Sequence, residues 1–315
     1  MLDKVKNDLI DNLNSSREKS WHTTPLGDPR GYIRPRELKE LWFHTGTACN
    51  LACPFCLEGS KPGDTRLDRI TLEDVKPFVA EALELDVEKF SFTGGEPFIV
   101  KQMVKILDHC LQFKPCMVLT NGTEPVLKRL DQIATLQNAP HDVSFRISID
   151  YPDQKRHDAG RGENSYAQAW QGLQALHQLG FNVSLARQLE KDENTQAVDN
   201  QYRDICKSYG LPEDITIVAF PDFALPGSMP EVPFVTESCM TTYQNEASRM
   251  EFMCAFSKMI IKKNATMRIY ACTLVDDDDA YDQGTSLKQS LIEPVSMKHH
   301  RCYSCFAYGA SCSES

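Results

Sequence analysis

The sequence predicts an α/β protein, a partial and open (βα)6 TIM-like barrel followed by a small cysteine-rich extension of one β-hairpin and a helix. Three observations predict this fold. Six short apolar segments recur along the first two thirds of the chain, amphipathic segments separate them, and the alternation stops near residue 220. Alternating strands and helices form parallel sheets with right-handed crossovers. Six units are too few for an eight-unit closed barrel, and an open doubly wound sheet is the alternative.

The elements follow from local patterns. The helix after the first predicted strand begins at Thr71, because Thr71 and Asp74 have the spacing of a capping box. The segment Ser257–Cys272 predicts two short strands joined at Asn264 and Ala265, since asparagine tolerates a positive φ. The six strands of the barrel are predicted at Leu41–His44, Lys89–Thr93, Met117–Leu119, Val143–Ile149, Val183–Ala186 and Ile215–Phe220.

Composition and charge exclude several classes of protein. The chain has 315 residues, with 34 Lys+Arg against 44 Asp+Glu and a net charge of −10, which is a poor match for a nucleic-acid backbone. No apolar run approaches the roughly 20 residues that span a bilayer, and the start shows no export signal. We therefore expect a cytoplasmic protein without nucleic-acid or membrane partners. In a reducing compartment, twelve cysteines indicate metal ligands rather than disulfides.

Changes of composition along the chain predict three regions. A polar N-terminal extension precedes the barrel, and a proline-rich stretch at about residues 221–233 separates the barrel from the cysteine-rich end. The predicted bounds are residues 1–37 for the N-terminal extension, 38–235 for the barrel and 236–315 for the C-terminal extension.

Several conspicuous residues have ordinary structural interpretations. The acidic run Asp276–Asp279 is interpreted as a solvated turn. The segment His299–Arg301 is interpreted as a polar turn that flanks the last cysteines. Four further cysteines are interpreted as buried apolar residues or simple thiols: Cys110, Cys116, Cys206 and Cys239.

Three cysteines crowd into eight residues after the first predicted strand, at Cys49, Cys53 and Cys56. They lie at the expected carboxyl end of the sheet, where α/β proteins place their active sites. A structural zinc site takes four protein ligands, so three thiolates leave one coordination position open. An Fe4S4 cluster held by three cysteines likewise has one iron free to bind another molecule. A zinc site that uses His44 as the fourth ligand is the alternative.

This cysteine motif, with Phe55 directly before the last cysteine, resembles that of radical S-adenosylmethionine (SAM) enzymes. Further motifs typical of that family end successive predicted strands: Gly94–Pro97 ends the second, Thr120–Gly122 the third and Ser148–Asp150 the fourth. Because the carboxyl ends of parallel strands share one rim, these motifs would converge on one site. The resemblance covers about residues 38–220 and implies the fold of a partial barrel.

The resemblance implies a [4Fe-4S] cluster on the three clustered cysteines, whose open iron chelates the methionine part of SAM. At Gly94 and Gly95, the lack of a Cβ would let the backbone approach the SAM amino group, with Glu96 supporting the turn. Arg187 ends the fifth strand and either faces the cavity or forms an exposed salt bridge. The other residues implied for SAM binding are Phe55, Thr120, Asn121, Ser148 and Asp150.

Four cysteines near the end of the chain form two pairs. Cys254 and Cys272 flank the predicted hairpin, and Cys302 and Cys305 have the spacing C-x2-C. This arrangement resembles the twitch domain, a short relative of the SPASM domain, and implies one auxiliary [4Fe-4S] cluster with all four cysteine positions filled. Cys312 is a candidate to replace one of these four ligands. A zinc ribbon is the alternative to the auxiliary cluster.

The chemistry is also implied by the resemblance. An electron that enters the first cluster cleaves SAM to methionine and a 5′-deoxyadenosyl radical, which takes a hydrogen atom from an unactivated C–H bond. The auxiliary cluster would serve in electron transfer. We expect oxidation of a small molecule or modification of a peptide, with a reductant such as flavodoxin or ferredoxin. A non-catalytic iron–sulfur or zinc protein that senses metals or redox state is the alternative from a different class.

Overall fold

A computed structural model of the chain describes residues 20–309, and the elements named here lie in that range. The strands are β1 (Tyr32–Ile33), β2 (Glu40–His44), β3 (Lys89–Thr93), β4 (Cys116–Thr120), β5 (Val143–Ser148), β6 (Asn182–Gln188), β7 (Ile217–Phe220), β8 (Ser257–Lys263), β9 (Thr266–Tyr270) and β10 (Val295–Ser296). The α-helices are α1 (Leu72–Glu84), α2 (Met103–Leu111), α3 (Glu124–Leu127), α4 (Leu130–Ala134), α5 (Gln154–Arg161), α6 (Ser165–Gln178), α7 (Thr195–Ser208), α8 (Glu237–Tyr243), α9 (Glu246–Arg249), α10 (Met253–Phe256), α11 (Leu287–Ser290) and α12 (His300–Tyr308).

The main sheet confirms the predicted α/β fold class. Strands β2 to β7 lie side by side in chain order, and each pairs in parallel with the next. A doubly wound sheet reverses its strand order at a switch point, so that alternative is wrong. Beyond β2, the sheet continues with β8 in parallel and ends with β9 in antiparallel pairing. All six predicted barrel strands form, close to their predicted bounds.

Alternating side chains give the sheet two apolar faces, as the period of a β-strand requires. In β2, Leu41 and Phe43 belong to the apolar core between the sheet and the helices, together with Phe90 and Phe92 of β3. Trp42 faces the other way, into an apolar cluster that the C-terminal region shares. The C-terminal region thus packs against the inner face of the barrel.

Two local predictions are confirmed. The Thr71 side chain accepts from the Asp74 amide, and Asp74 accepts from the Thr71 amide at 2.8 Å, which completes the capping box of α1. At the hairpin turn, Asn264 and Ala265 have φ values of 52° and 60°. The Ala265 amide donates to Asp68 at 2.8 Å, and this bond holds the left-handed turn in place.

The chain on the N-terminal side of the barrel packs against the C-terminal region. Strand β1 pairs with β10 in antiparallel register, and the Ser296 hydroxyl donates to the Trp21 carbonyl at 2.6 Å. Within residues 20–309, none of the helices combines the length and the apolar character that crossing a membrane requires. Most of the predicted N-terminal extension and Cys312 lie outside the described residues.

The three cysteines predicted for the core are buried, which confirms that interpretation. Cys110 and Cys206 have no exposed surface, and Cys116 is 4% exposed. The Cys110 and Cys116 side chains hydrogen-bond each other, and burial raises the pKa of Cys116 well above its ordinary value. The Cys116 thiol therefore stays protonated, and both buried cysteines act as small apolar residues.

Candidate metal and cofactor site

The carboxyl ends of β2 to β7 surround a cavity of about 1060 Å³, counted out to its open mouth. The three clustered cysteines line this cavity. All residues predicted for SAM binding except Glu96 line it as well: Phe55, Gly94, Gly95, Thr120, Asn121, Ser148, Asp150 and Arg187. The parallel sheet therefore brings these separate motifs to one rim, as predicted.

The cysteine loop follows β2 and turns back on itself. The Cys49 amide donates to the Lys61 carbonyl at 3.3 Å, and the Cys56 amide donates to the Cys53 carbonyl at 3.1 Å. A further bond of 2.8 Å, from the Gly59 amide to the Cys56 carbonyl, closes the last turn. These bonds turn all three thiols toward the same cavity. Burial raises the pKa of Cys49 to about 12 and also raises the pKa values of Cys53 and Cys56.

The donor set fits an iron–sulfur cluster. Thiols with raised pKa values stay protonated at neutral pH unless a metal displaces their protons. Among residues 20–309, no three cysteine sulfurs lie within 4.8 Å of one another. One tetrahedral zinc ion, with Zn–S bonds of about 2.3 Å, would hold its sulfurs about 3.8 Å apart. The sulfurs are thus not gathered for a single zinc ion, whereas three thiols are the donor set of a cluster with one open iron.

His44, the alternative fourth zinc ligand, is occupied by other partners. Its Nδ1 accepts from the Gly46 amide at 3.1 Å, so Nε2 carries the proton and donates to Glu58 at 2.9 Å. Arg66 also donates to Glu58, at 2.8 Å, and the positive groups hold the pKa of this buried carboxyl at about 2. His44 is therefore engaged with Glu58, and the described group of ligand atoms that contains it, with Glu58 and Asp276 within 4.8 Å of one another, includes no cysteine sulfur.

The Gly94–Gly95 turn packs directly against the backbone that leads into the cysteine loop. A Cβ on Gly95 would lie 2.2 Å from the Ala48 carbonyl oxygen, and a Cβ on Gly94 would lie 2.6 Å from Thr45 Oγ1. Gly94 also has a φ of +143°, which favours glycine. Besides leaving room for a cofactor, glycine is thus required here to join the ends of β2 and β3.

Glu96 is 1% exposed and holds the ends of β3 and β4 together. Its carboxylate accepts from the Thr120 hydroxyl at 2.9 Å, the Asn121 amide at 2.9 Å and the Phe98 amide at 3.0 Å. Burial raises the pKa of Glu96 above its ordinary value, and these donors oppose that effect. Because Glu96 does not line the cavity, any effect of its carboxylate on a cofactor passes through Thr120 and Asn121.

Asn121 connects the end of β4 to the cysteine loop. Its side-chain amide donates to the Asn50 side chain at 3.0 Å and lies 3.8 Å from the Cys49 sulfur. The Thr123 hydroxyl donates to the Asn121 side-chain oxygen at 2.6 Å and fixes the orientation of the amide. The amide is thus placed to donate to a ligating sulfur at Cys49.

Arg161 follows the motif that ends the fourth predicted strand, and it is a site residue to which sequence reasoning assigned no role. Its guanidinium forms a two-pronged ion pair with Asp150, whose amide donates to His157 Nδ1 at 3.2 Å. The charge of Arg161 lies near Cys53 and Cys56, where it favours the thiolate form. Its role was not predicted, because Arg161 reaches the cavity only through the packing of α5 against the sheet.

Arg187 is buried and lines the cavity, so the alternative of an exposed salt bridge is wrong. It pairs with Glu193 at 2.7 Å and Asp199 at 2.9 Å. The residues after β6 thus surround it with negative charge. Phe55 also lies at the cavity wall, against Gly160 of α5, where a Cβ would approach the Phe55 ring to 2.7 Å.

The four C-terminal cysteines come together away from this cavity. Cys254 lies in α10, Cys272 follows β9, and Cys302 and Cys305 lie one turn apart in α12. The other three thiols all act on the pKa of Cys254, which burial raises well above its ordinary value. Burial also raises the pKa of Cys272 to about 12 and of Cys302 to about 11. Cys239 packs beside this group, with its sulfur 3.2 Å from Thr236 Oγ1.

The interpretation of Asp276–Asp279 as a solvated turn is wrong for its first two residues. Asp276 is 2% exposed and pairs with Arg66 at 3.1 Å. Asp277 pairs with His299 at 3.2 Å, and its pKa lies below the ordinary value because of this partner and Arg301. Buried positive charges, which the sequence pattern does not reveal, draw both carboxylates inward.

The interpretation of His299–Arg301 as a polar turn is also wrong. Arg301 is fully buried at the start of α12. Its guanidinium donates to the carbonyls of Leu57 at 2.9 Å, Ala224 at 2.9 Å, Phe223 at 3.0 Å and Leu274 at 3.2 Å. Arg301 directly precedes Cys302, and Leu57 directly follows Cys56. The bond between them therefore connects the two cysteine sites.

Comparisons with known proteins agree with this geometry. The radical SAM superfamily model matches residues 43–188. A GTP 3′,8-cyclase from Tolumonas auensis is 28% identical over 157 residues, which are 47% of this chain and 45% of that protein. The mycofactocin maturase MftC from Mycolicibacterium smegmatis is 26% identical over 170 residues, which are 54% of this chain and 42% of that protein. The chain spans about half the length of the curated relatives it matches.

Solved structures show the same fold. SuiB from Streptococcus suis, solved with SAM bound, has a TM-score of 0.60 and 13% identity, covering 82% of this chain and 66% of SuiB. SuiB bound to its precursor peptide SuiA has a TM-score of 0.59 and 14% identity, covering 82% of this chain and 65% of SuiB. Given the cysteine loop and strand-end motifs on one rim and the family match across them, the chain contains a radical SAM domain over residues 43–188.

Proposed function

We propose that this protein is a radical SAM enzyme that cleaves SAM reductively and takes a hydrogen atom from its substrate. The observation that carries the proposal is the convergence of three thiols and three strand-end motifs on one cavity. When bound at Cys49, Cys53 and Cys56, an Fe4S4 cluster together with SAM supplies the one-electron cleavage that gives methionine and a 5′-deoxyadenosyl radical.

The chain's own residues bind and orient the nucleotide in this proposal. The Gly94–Gly95 backbone lines the cavity and would bind the SAM amino group, and Glu96 holds the neighbouring turn in place. Arg161 lines the cavity wall in an ion pair with Asp150, which fixes its position there. Phe220 and Phe223 also line the cavity and would exclude water from the reacting atoms. Catalysis would thus rest on orientation and on a dry cavity.

We assign the second metal site to the four C-terminal cysteines, as an auxiliary [4Fe-4S] cluster in electron transfer. Four thiols close all the positions of such a cluster, so it would not bind substrate directly. The spacing of the sulfurs supports this cluster over a zinc ribbon, for the reason given for the rim site. Cys312 would replace one of these four cysteines if that cysteine were not a ligand.

The proposed substrate is a small polar molecule or a peptide, which the enzyme oxidises or modifies. Similar proteins support both classes, since one relative is named a GTP cyclase and SuiB was solved with a precursor peptide. We propose a flavodoxin or a ferredoxin as the electron donor. Either would be excluded from the cavity by its size and would deliver electrons through the cysteine loop.

Anaerobic reconstitution with iron and sulfide, followed by dithionite and SAM, tests the proposal. We expect 5′-deoxyadenosine in the product, and a change in the electron paramagnetic resonance (EPR) spectrum of the reduced protein when SAM is added. If reconstituted protein gave neither the nucleoside nor a spectral change, the enzymatic proposal would be rejected. The non-catalytic sensor would then be the better description.

A further inference from the structure

Lys258 is a buried lysine next to the C-terminal cysteine site. It is the second residue of β8, where it pairs with Leu41 of β2, and it follows Cys254 by four positions. It has no exposed surface. Lysine is almost never fully buried without a partner, because removing an ammonium group from water is costly. This position therefore requires an explanation.

The ammonium group of Lys258 has no hydrogen-bond partner among residues 20–309. Two other lysines of β8 differ in this respect. Lys262 pairs with Asp74 at 2.7 Å, and Lys263 pairs with Asp279 at 2.6 Å. The strand thus provides carboxylate partners for its other lysines but not for the buried one.

The ionisable groups that act on Lys258 are Cys254 and Cys272. As protonated thiols, these cysteines carry no charge and leave the ammonium uncompensated. As thiolates that ligate a metal cluster, they place negative charge beside it. Among residues 20–309, the groups placed to supply a counter-charge to Lys258 are therefore these two cysteines, as ligands of a metal site.

We propose that Lys258 is the counter-charge of the cluster held by Cys254, Cys272 and the C-x2-C pair, and that it raises the reduction potential of that cluster. The inference rests on the proposed auxiliary cluster. Four thiolates give the cluster a net negative charge, and one added electron makes it more negative. A fixed positive charge in a low-dielectric interior stabilises the reduced form more than the oxidised form.

This effect would favour electron flow into the C-terminal site. A cluster can accept an electron from a substrate radical only if the free energy of its reduced form is low enough. Lys258 lowers that cost without contacting the substrate, so it is a positioning and electrostatic residue rather than a catalytic one. The rim site has a comparable buried charge in Arg161, but Asp150 neutralises it.

The test uses full-length protein in which Cys49, Cys53 and Cys56 are replaced by alanine, so that only the C-terminal cluster remains. Its reduction potential is measured by EPR during a redox titration, with and without Lys258→Met. We expect Lys258→Met to lower the ratio of reduced to oxidised cluster about tenfold at a fixed potential. For a one-electron couple this is a shift of about 59 mV to more negative values.

Two further variants separate charge from packing. Lys263→Met, the same change at a half-buried position of the same strand whose ammonium pairs with Asp279, should leave the potential unchanged. Lys258→Arg keeps the charge and should stay close to the parent value. If Lys258→Met keeps its iron but does not change the potential, the inference is wrong. If Lys258→Met loses the cluster, restoration of iron by Lys258→Arg supports the counter-charge, and failure to restore it indicates a packing role and rejects the inference.

The parent protein distinguishes this inference from the proposal on which it rests. With the rim cysteines replaced, it should hold about four irons. If it holds no iron, or binds zinc instead, the auxiliary cluster is rejected before Lys258 is considered. If it holds the cluster, each result above concerns Lys258 alone.

Discussion

The two cysteine sites of this chain differ in what surrounds their sulfurs. At the rim, three cysteines line the main cavity together with the strand-end motifs. At the C-terminal site, four cysteines lie away from that cavity, beside the buried Lys258 and the Tyr281 hydroxyl, which is 3.9 Å from the Cys302 sulfur. Burial raises thiol pKa values at both sites. Acidity of the thiols therefore does not separate the two sites.

What separates them is access and the number of ligands. A set of three thiols at an open cavity leaves a metal position for a small molecule, whereas four enclosed thiols leave none. The compensation of charge differs too, since Arg161 at the rim is paired with a carboxylate and Lys258 is not. The comparison predicts that the two sites can be emptied and perturbed independently.

The largest expected effect is on iron content. Reconstituted protein should hold about eight irons, and replacing Cys49, Cys53 and Cys56 by alanine should leave about four and abolish SAM cleavage. Iron and sulfide assays, with detection of 5′-deoxyadenosine, measure this. Cys206→Ala, a change at a buried core cysteine, is the control and should keep the full iron load. A triple variant with undiminished iron would contradict the assignment of the rim ligands.

The next largest effect concerns stability and the buried Arg301, which connects the two cysteine sites. Arg301→Met leaves four buried carbonyls without their donor and should lower the free energy of unfolding by about 4 kcal/mol. Arg268→Met, which removes a partly exposed pair with Asp282, should cost less than about 1 kcal/mol. Urea denaturation of the metal-free proteins measures both. Equal losses would show that the guanidinium does not hold the two regions together.

The buried His157, next to the rim, should make the free energy of unfolding fall in mild acid. Burial lowers the pKa of this residue to about 4, from an ordinary value of 6.5. Between these values the unfolded chain binds the extra proton, so stability falls as the pH drops from 6.5 toward 4. From pH 7 to pH 5, His157 should account for a loss of about 2 kcal/mol. Urea denaturation at both pH values should show a smaller loss in His157→Gln, and an identical loss would contradict this account.

The smallest effect concerns Glu96, which supports the rim without lining the cavity. Glu96→Ala leaves the Thr120 hydroxyl and two amides without their acceptor and should weaken SAM binding about tenfold, or about 1.4 kcal/mol. Equilibrium dialysis with SAM measures the affinity, and iron content should not change. Glu124→Ala, on the surface beside Lys128, is the matched control. An unchanged affinity for SAM would reject this role for Glu96.

Sequence reasoning predicted the convergence of the motifs on one rim, because each motif is a short local pattern at the end of a predicted strand. The motifs lie at strand ends, and a parallel sheet with strands in chain order brings strand ends together, so Gly94, Asn121 and Ser148 reach one cavity. It assigned no role to Arg161 and misjudged Arg301, because a sequence pattern does not reveal the partners of a buried arginine. A buried arginine is recognised only from partners that are distant in sequence, such as Leu57 for Arg301.

The sequence by itself determined the six strands, the order of the motifs and the grouping of the cysteines, since spacing and alternation are properties of the chain. Only the tertiary structure decided that β8 pairs with β2, that Asp276 is buried against Arg66 and that Lys258 has the cysteine site as its neighbour. The physical reason is that burial and charge compensation depend on long-range packing. A charged residue looks the same in a sequence whether its partner is water or a buried group.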